Sequence, residues 1–114
     1  MAIEIKDDRA AGRLRAFEGA ERVGVIAYFV LASGPGAGAL VAVHTVVEPG
    51  HEGRGIAGDL VRAFYGMAAA EGVAVVPFCP YAAKWAARHP DEAPQPAAEV
   101  VAAAKRQLDA DSAP

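Results

Sequence analysis

The chain has 114 residues, near the commonest size of one domain, so a single core is expected over 1–114 with no second domain. Hydrophobic residues make up 54% and charged residues 22%, which supports a buried core and argues against wholesale disorder. The formal net charge is −3 and no basic block runs along the chain, so nucleic acid is not expected as a partner.

The single cysteine, Cys79, excludes an internal disulfide and a cysteine-rich zinc site, and no metal is expected. Residues 1–8 lack a charged-then-apolar leader pattern, and no apolar run approaches the ~20 residues that cross a bilayer. The expectation is a reducing, cytoplasmic setting with no membrane partner. Richness in alanine, glycine and arginine points to a bacterial source. Oligomeric state is left open.

Residues 13–18 alternate polar and apolar, the period of a half-buried strand. Gly19-Ala20-Glu21 can turn, and the β-branched and aromatic run 22–31 predicts a second strand. A glycine-rich turn at 33–38 precedes a third β-prone run, 40–47. These three segments read as an antiparallel meander, ended by Glu48-Pro49-Gly50. Ile56, Leu60, Val61, Phe64, Met67 and Ala68 then recur at helical spacing through Glu71, and Gly72 suits the left-handed closing residue. The wholly apolar 73–78 predicts a strand buried on both faces, parallel to its predecessor because a right-handed βαβ crossover joins them. A short helix is expected at 81–89, a proline-rich linker at 91–96 and a last helix at 97–108 through Val101, Ala104 and Leu108. Residues 109–114 are expected to fray.

The stretch His51-Glu52-Gly53-Arg54-Gly55-Ile56-Ala57-Gly58-Asp59 lies between a strand and a helix start. Small residues there let backbone approach a ligand, and the helix N-terminus carries about half a positive charge, so the loop suits phosphate. Arg54 can add a side-chain contact. Gly53, Gly55 and Gly58 also satisfy G-x-G-x-x-G, but the acidic residue that a dinucleotide site needs ~20 positions on is replaced by Pro77-Phe78-Cys79-Pro80. No Gly-Lys-Ser/Thr follows for a Walker loop. The alternative is a plain glycine-rich turn.

Four segments in order resemble the GNAT N-acetyltransferase superfamily, in its minimal single-domain YjdJ-like branch. They are His44-Thr45-x-Val47, Glu52-Gly53-Arg54-Gly55-Ile56-Ala57, Pro77-Phe78-Cys79-Pro80-Tyr81 and Arg88-His89-Pro90. In the superfamily's loop, Gln/Arg-x-x-Gly-x-Gly/Ala, Gly55 and Ala57 fill the last two defined positions and Glu52 departs from the first. The resemblance implies an α+β fold, a mostly antiparallel sheet with one splayed parallel strand pair and packed helices. It implies acetyl-CoA as cofactor, with amides from about Arg54 to Asp59 on the pyrophosphate and backbone at Val46–Val47 on the pantetheine arm. It implies N-acetylation of a primary amine by direct attack in a ternary complex; the other reading is a non-catalytic acyl-CoA-binding or sensing module.

Amine acetylation needs a neutral amine, a polarised carbonyl and a proton for the departing thiolate. His44 is the first candidate base, since histidine as a class suits proton transfer near neutrality. Strict alternation puts it on one face with Leu40, Ala42 and Val46, with Thr45 facing the other way; a half-buried structural histidine is the alternative. Cys79 ends the buried strand and is a candidate nucleophile or acid beside the thioester, against a small buried apolar residue. Tyr81 is a candidate acid. Lys84 and Arg88, at i, i+4, share a helix face and can meet cofactor phosphates, or be a solvated basic face. His51 reads as a solvated loop residue, His89 as a helix-end residue, and Asp59 with Arg62 as a surface pair.

Overall fold

The computed structural model describes residues 2–111; 1 and 112–114, the end of the expected frayed tail, lie outside the described residues. In chain order its elements are β1 (Ile3–Asp8), β2 (Arg13–Glu18), β3 (Glu21–Val30), β4 (Leu40–Val47), α1 (Ile56–Glu71), β5 (Val75–Pro77), α2 (Pro80–Arg88) and α3 (Ala98–Asp111). The strands form one sheet in sequence order. Three pairings are antiparallel and β4–β5 is parallel, the α+β layout expected from the sequence.

β3 and α2 each begin and end one residue earlier than expected, and β1, β5 and α3 depart further, for local reasons. β1 is an added edge strand: Ile3 and Ile5 pack on the core while Glu4 and Lys6 face away, too few apolar residues to declare a strand without its partner. β5 spans 75–77 rather than 73–78, because the Val73 N–H closes α1 by donating to Ala68 O and the chain turns at Phe78, whose N–H donates to Val76 O. α3 runs to Asp111 and buries Val100, Ala103 and Ala104 rather than Val101 and Leu108.

One face of the sheet presents Leu14, Ala16, Ile26, Tyr28, Leu40 and Ala42 to α1 and α2. α1 answers with Ile56, Leu60, Val61, Phe64 and Ala68, one helical stripe. Gly72, at φ 70°, ends the helix as expected. The other face is covered only in part, where α3 packs Val100, Ala103 and Ala104 on Leu31, Ala39, Val41 and Val76. Gln107 fastens that helix to the sheet: it accepts from Ala32 N–H (2.8 Å) and donates to Val30 O (3.2 Å).

Two tyrosines give the fold an alkaline limit. Tyr28 Oη donates to Asp7 Oδ1 (2.5 Å), and burial, with that bond second, pushes the phenol up to about 12 from the usual 10. Burial alone pushes Tyr65 up to about 12. Both shifts favour the neutral phenol in the folded state. Their stabilisation is therefore complete below pH about 10 and lost as pH rises through about 12. Denaturant midpoints should fall across that window, and Tyr65→Phe should flatten the fall; an equal decline in the variant contradicts the assignment.

Candidate functional site

β4 and β5 pair at Leu40↔Val75, Val41↔Val76 and Ala42↔Pro77, then separate. The last tie is Cys79 N–H to Ala42 O (3.0 Å). Pro80 follows as the first residue of α2, which turns the chain away. β4 continues to Val47 alone on that side, so a slot opens between the strands with Cys79 at its apex.

A bulge sets which residues face this slot. Ala27 pairs with His44 but Tyr28 with Ala42, so Val43 is unpaired and the alternation changes phase. Thr45 and Val47 then fall on the α1 face: they pair with Ile26, which lies in that core, and with Gly24, which packs on Leu60 and Ile56. His44 and Val46 pair with Ala27 and Val25 on the opposite, open face. This corrects the expectation that His44 shares a face with Leu40 and Ala42, because strict alternation ignores the inserted residue. His44 is exposed and Val46 is 50% exposed.

Glu48 N–H donates to Val23 O (2.9 Å) in the same register. Antiparallel alternation then directs the backbone groups of Val46 and His44 to β3, and those of Val47 and Thr45 into the slot. The backbone N–H and C=O of Val47 therefore point into the slot, whereas those of Val46 point to β3 and its side chain lies on the open face. At the apex, Cys79 is 3% exposed and its Sγ donates to Thr45 Oγ1 (3.2 Å).

The glycine loop leads from β4 into α1. Gly53 (φ 79°) and Gly55 (φ 80°) take left-handed conformations, and Gly55 caps α1 without a side-chain bond. Asp59 N–H closes the first helical bond, to Gly55 O (3.0 Å). The N–H groups of Ile56, Ala57 and Gly58 precede it and have no intrahelical acceptor. The expected donor run thus ends at Gly58, since the Asp59 amide is already used. A Cβ on Gly53 or Gly55 would meet nothing within 4 Å, so the space before these amides is open. A pocket of about 250 Å³ lies there, walled by Val47, Glu52, Ile56, Ala57 and Tyr81. Unpaired donors, open space and the positive helix end together fit a diphosphate, and the adjoining slot fits an extended arm.

Other side chains take unexpected places. Arg54 bonds both carboxylate oxygens of Glu18 and lies 2.9 Å from His51 Nδ1, so it points at the β2–β3 turn. Its guanidinium holds the Glu18 carboxyl below the usual range. His51 is not a solvated residue: its side chain is 15% exposed, and Nε2 lies 3.3 Å from Glu21 Oε2. Arg62 pairs with Glu92 (2.8 Å), not with Asp59, because it reaches across Trp85 (5.4 Å) to the chain beyond α2. Gly58 packs beneath α2, where a Cβ would lie 3.6 Å from Tyr81 Oη and 3.8 Å from Trp85 Nε1. Tyr81, 43% exposed, thus stands over the N-terminus of α1 rather than at the slot's apex. Lys84 and Arg88 are exposed on α2.

Thr45, Glu18 and His51 are the residues that sequence reasoning undervalued. Their partners are 34, 36 and 30 positions away, beyond any local pattern. Among the described residues, no helix is long and apolar enough to cross a membrane. No curated protein matches the chain. A family model described as GCN5-related N-acetyl-transferase matches residues 13–95, from β2 through both sides of the slot, the glycine loop and α2. With well over half of the sequence matched, and the splayed pair and amide loop within the match, the chain belongs to the GCN5-related N-acetyltransferase family.

Proposed function

We propose that the protein is an acetyl-CoA-dependent N-acetyltransferase that acts on a primary amine by direct attack in a ternary complex. The observation that carries this reading is the parting of β4 and β5 beside the unpaired amides of α1. Acetyl-CoA, when bound, supplies a thioester carbonyl and a thiolate leaving group. The amides of Ile56, Ala57 and Gly58, with the Gly53–Gly55 backbone, hold the diphosphate. Lys84, one turn along α2 from Tyr81, adds positive charge, Arg54 is held by Glu18 away from the diphosphate, and Asp59 shapes the helix start. Thr45 and Val47 backbone groups line the arm's path, and an N–H among them polarises the carbonyl. Val46 offers an apolar surface on the open face. His44, on that face, accepts the amine proton. Cys79 lies beside the thioester carbon without bonding to it, Tyr81 closes the wall of the diphosphate pocket away from that carbon, and the departing thiolate takes its proton from solvent.

One observation favours the second reading, a non-catalytic acyl-CoA-binding or sensing module. The candidate base, His44, lies on the open face, while Cys79 and Thr45 meet on the α1 face.

The test is free-thiol release from acetyl-CoA with lysine peptides and polyamines, beside calorimetry with CoA. Binding with turnover is expected. Cys79→Ala should keep CoA affinity within a few-fold and retain appreciable turnover. A stable acetyl group on Cys79 by intact mass, passed to an amine at a competent rate, overturns direct attack. Binding without turnover on every amine selects the second reading.

A further inference from the structure

The glycine loop raises a problem of order. Gly50, Gly53 and Gly55 all adopt positive φ, and glycine backbone is costly to hold in one conformation. α1 fixes the loop at its far end and the Glu48 N–H bond to Val23 O at its near end, which leaves Gly50 and Gly53 between them with no backbone partner among the described residues. Among the described residues, the side-chain bonds that leave residues 51–54 all run to Glu18 and Glu21. These two acids flank the β2–β3 turn. Arg54 grips Glu18 with both nitrogens of its fork, and the same Nη1 approaches His51 Nδ1. A guanidinium can only donate, so Nδ1 accepts, Nε2 carries the proton, and Nε2–H donates to Glu21.

An acidic pair beside an anion cradle is wrong for electrostatics alone. Glu18 repels a diphosphate and withholds Arg54 from it. A mechanical role resolves this. We propose that Glu18 and His51 are positioning residues of the cofactor loop. Through Arg54 they latch the Gly53–Gly55 backbone to the β2–β3 turn, so that its amides are set before ligand arrives. The latch rests on the acetyl-CoA reading above for its purpose, but its mechanics belong to the ligand-free protein.

The two hypotheses for Glu18 predict opposite signs. If Glu18 only opposes the anion, Glu18→Ala frees Arg54 and tightens CoA binding. If Glu18 is half of a latch, Glu18→Ala weakens CoA binding by about tenfold, the scale of one charge-assisted bond. Calorimetry with CoA on the wild type, Glu18→Ala, Glu18→Gln and the swapped pair Glu18→Arg/Arg54→Glu reads this directly. The swapped pair should recover affinity relative to either single reversal, which a merely destabilising change would not do. Hydrogen exchange of the bonded amides at the two ends of the loop, His51 and Asp59, in the ligand-free protein is the second readout, and should quicken in Glu18→Ala with an unchanged melting point. Absence of CoA binding by the wild type refutes the acetyl-CoA reading, and the exchange rates then still decide the latch. Tighter or equal CoA binding by Glu18→Ala, or unchanged exchange at His51 and Asp59, overturns it.

Discussion

Gly55→Val should abolish CoA binding, with a loss of more than about a hundredfold, while the protein stays folded. Two effects act together. Residue 55 sits at φ 80°, where a β-branched side chain is strained by about 1–3 kcal/mol. The side chain would also project into the open space before the amides of α1. Nothing lies within 4 Å of a Cβ there, so the side chain enters open space and the larger effect of the substitution falls on the ligand. Calorimetry with CoA, beside circular dichroism for folding, checks this. A folded Gly55→Val protein with ordinary CoA affinity would remove the amide loop from the site.

Phe64→Ala should have the largest effect on stability. Phe64 is 1% exposed and meets Tyr28 edge-on, with ring centroids 5.2 Å apart. Truncating such a residue costs about 3–5 kcal/mol, against a total of about 5–15 kcal/mol for a folded domain. Denaturant unfolding should show that loss, and a change below about 1 kcal/mol would mean that α1 is not anchored through this residue. The same helix carries the glycine loop at its N-terminus, so if that loop binds the cofactor as proposed, saturating acetyl-CoA should restore part of the lost stability, about 2.7 kcal/mol at a hundred times its dissociation constant.

The elements that hold the site were legible where the pattern is local. The stripe from Ile56 to Ala68 and the closing Gly72 place α1 as the structure does. The apolar run before Cys79 announces a buried strand parallel to β4. The loop's glycines announce open backbone, and the structure gives Gly53 and Gly55 positive φ. What was not legible depends on pairing at a distance. β1 becomes a strand only through β2, since two isoleucines do not make a pattern alone. Arg54 reads as a phosphate ligand until Glu18, 36 positions earlier, is seen in its grip. Thr45 reads as structural until the bulge turns it toward Cys79.

That bulge has a consequence for how the slot is encoded. Before Val43 the residues of β4 that face α1 are even-numbered, Leu40 and Ala42; after it they are odd-numbered, Thr45 and Val47. The strand changes parity midway. A chain that kept Val43 but paired it with Ala27 would shift every later residue by one and carry an imidazole where it now carries an alcohol, with His44 turned toward the apex and Thr45 toward the open face. No side chain at position 43 performs this sorting. The chemistry on each side of the sheet is set by register, so replacing Val43 by another strand-forming residue should leave it intact, whereas a one-residue slip in the pairing of β3 with the end of β4 would invert it.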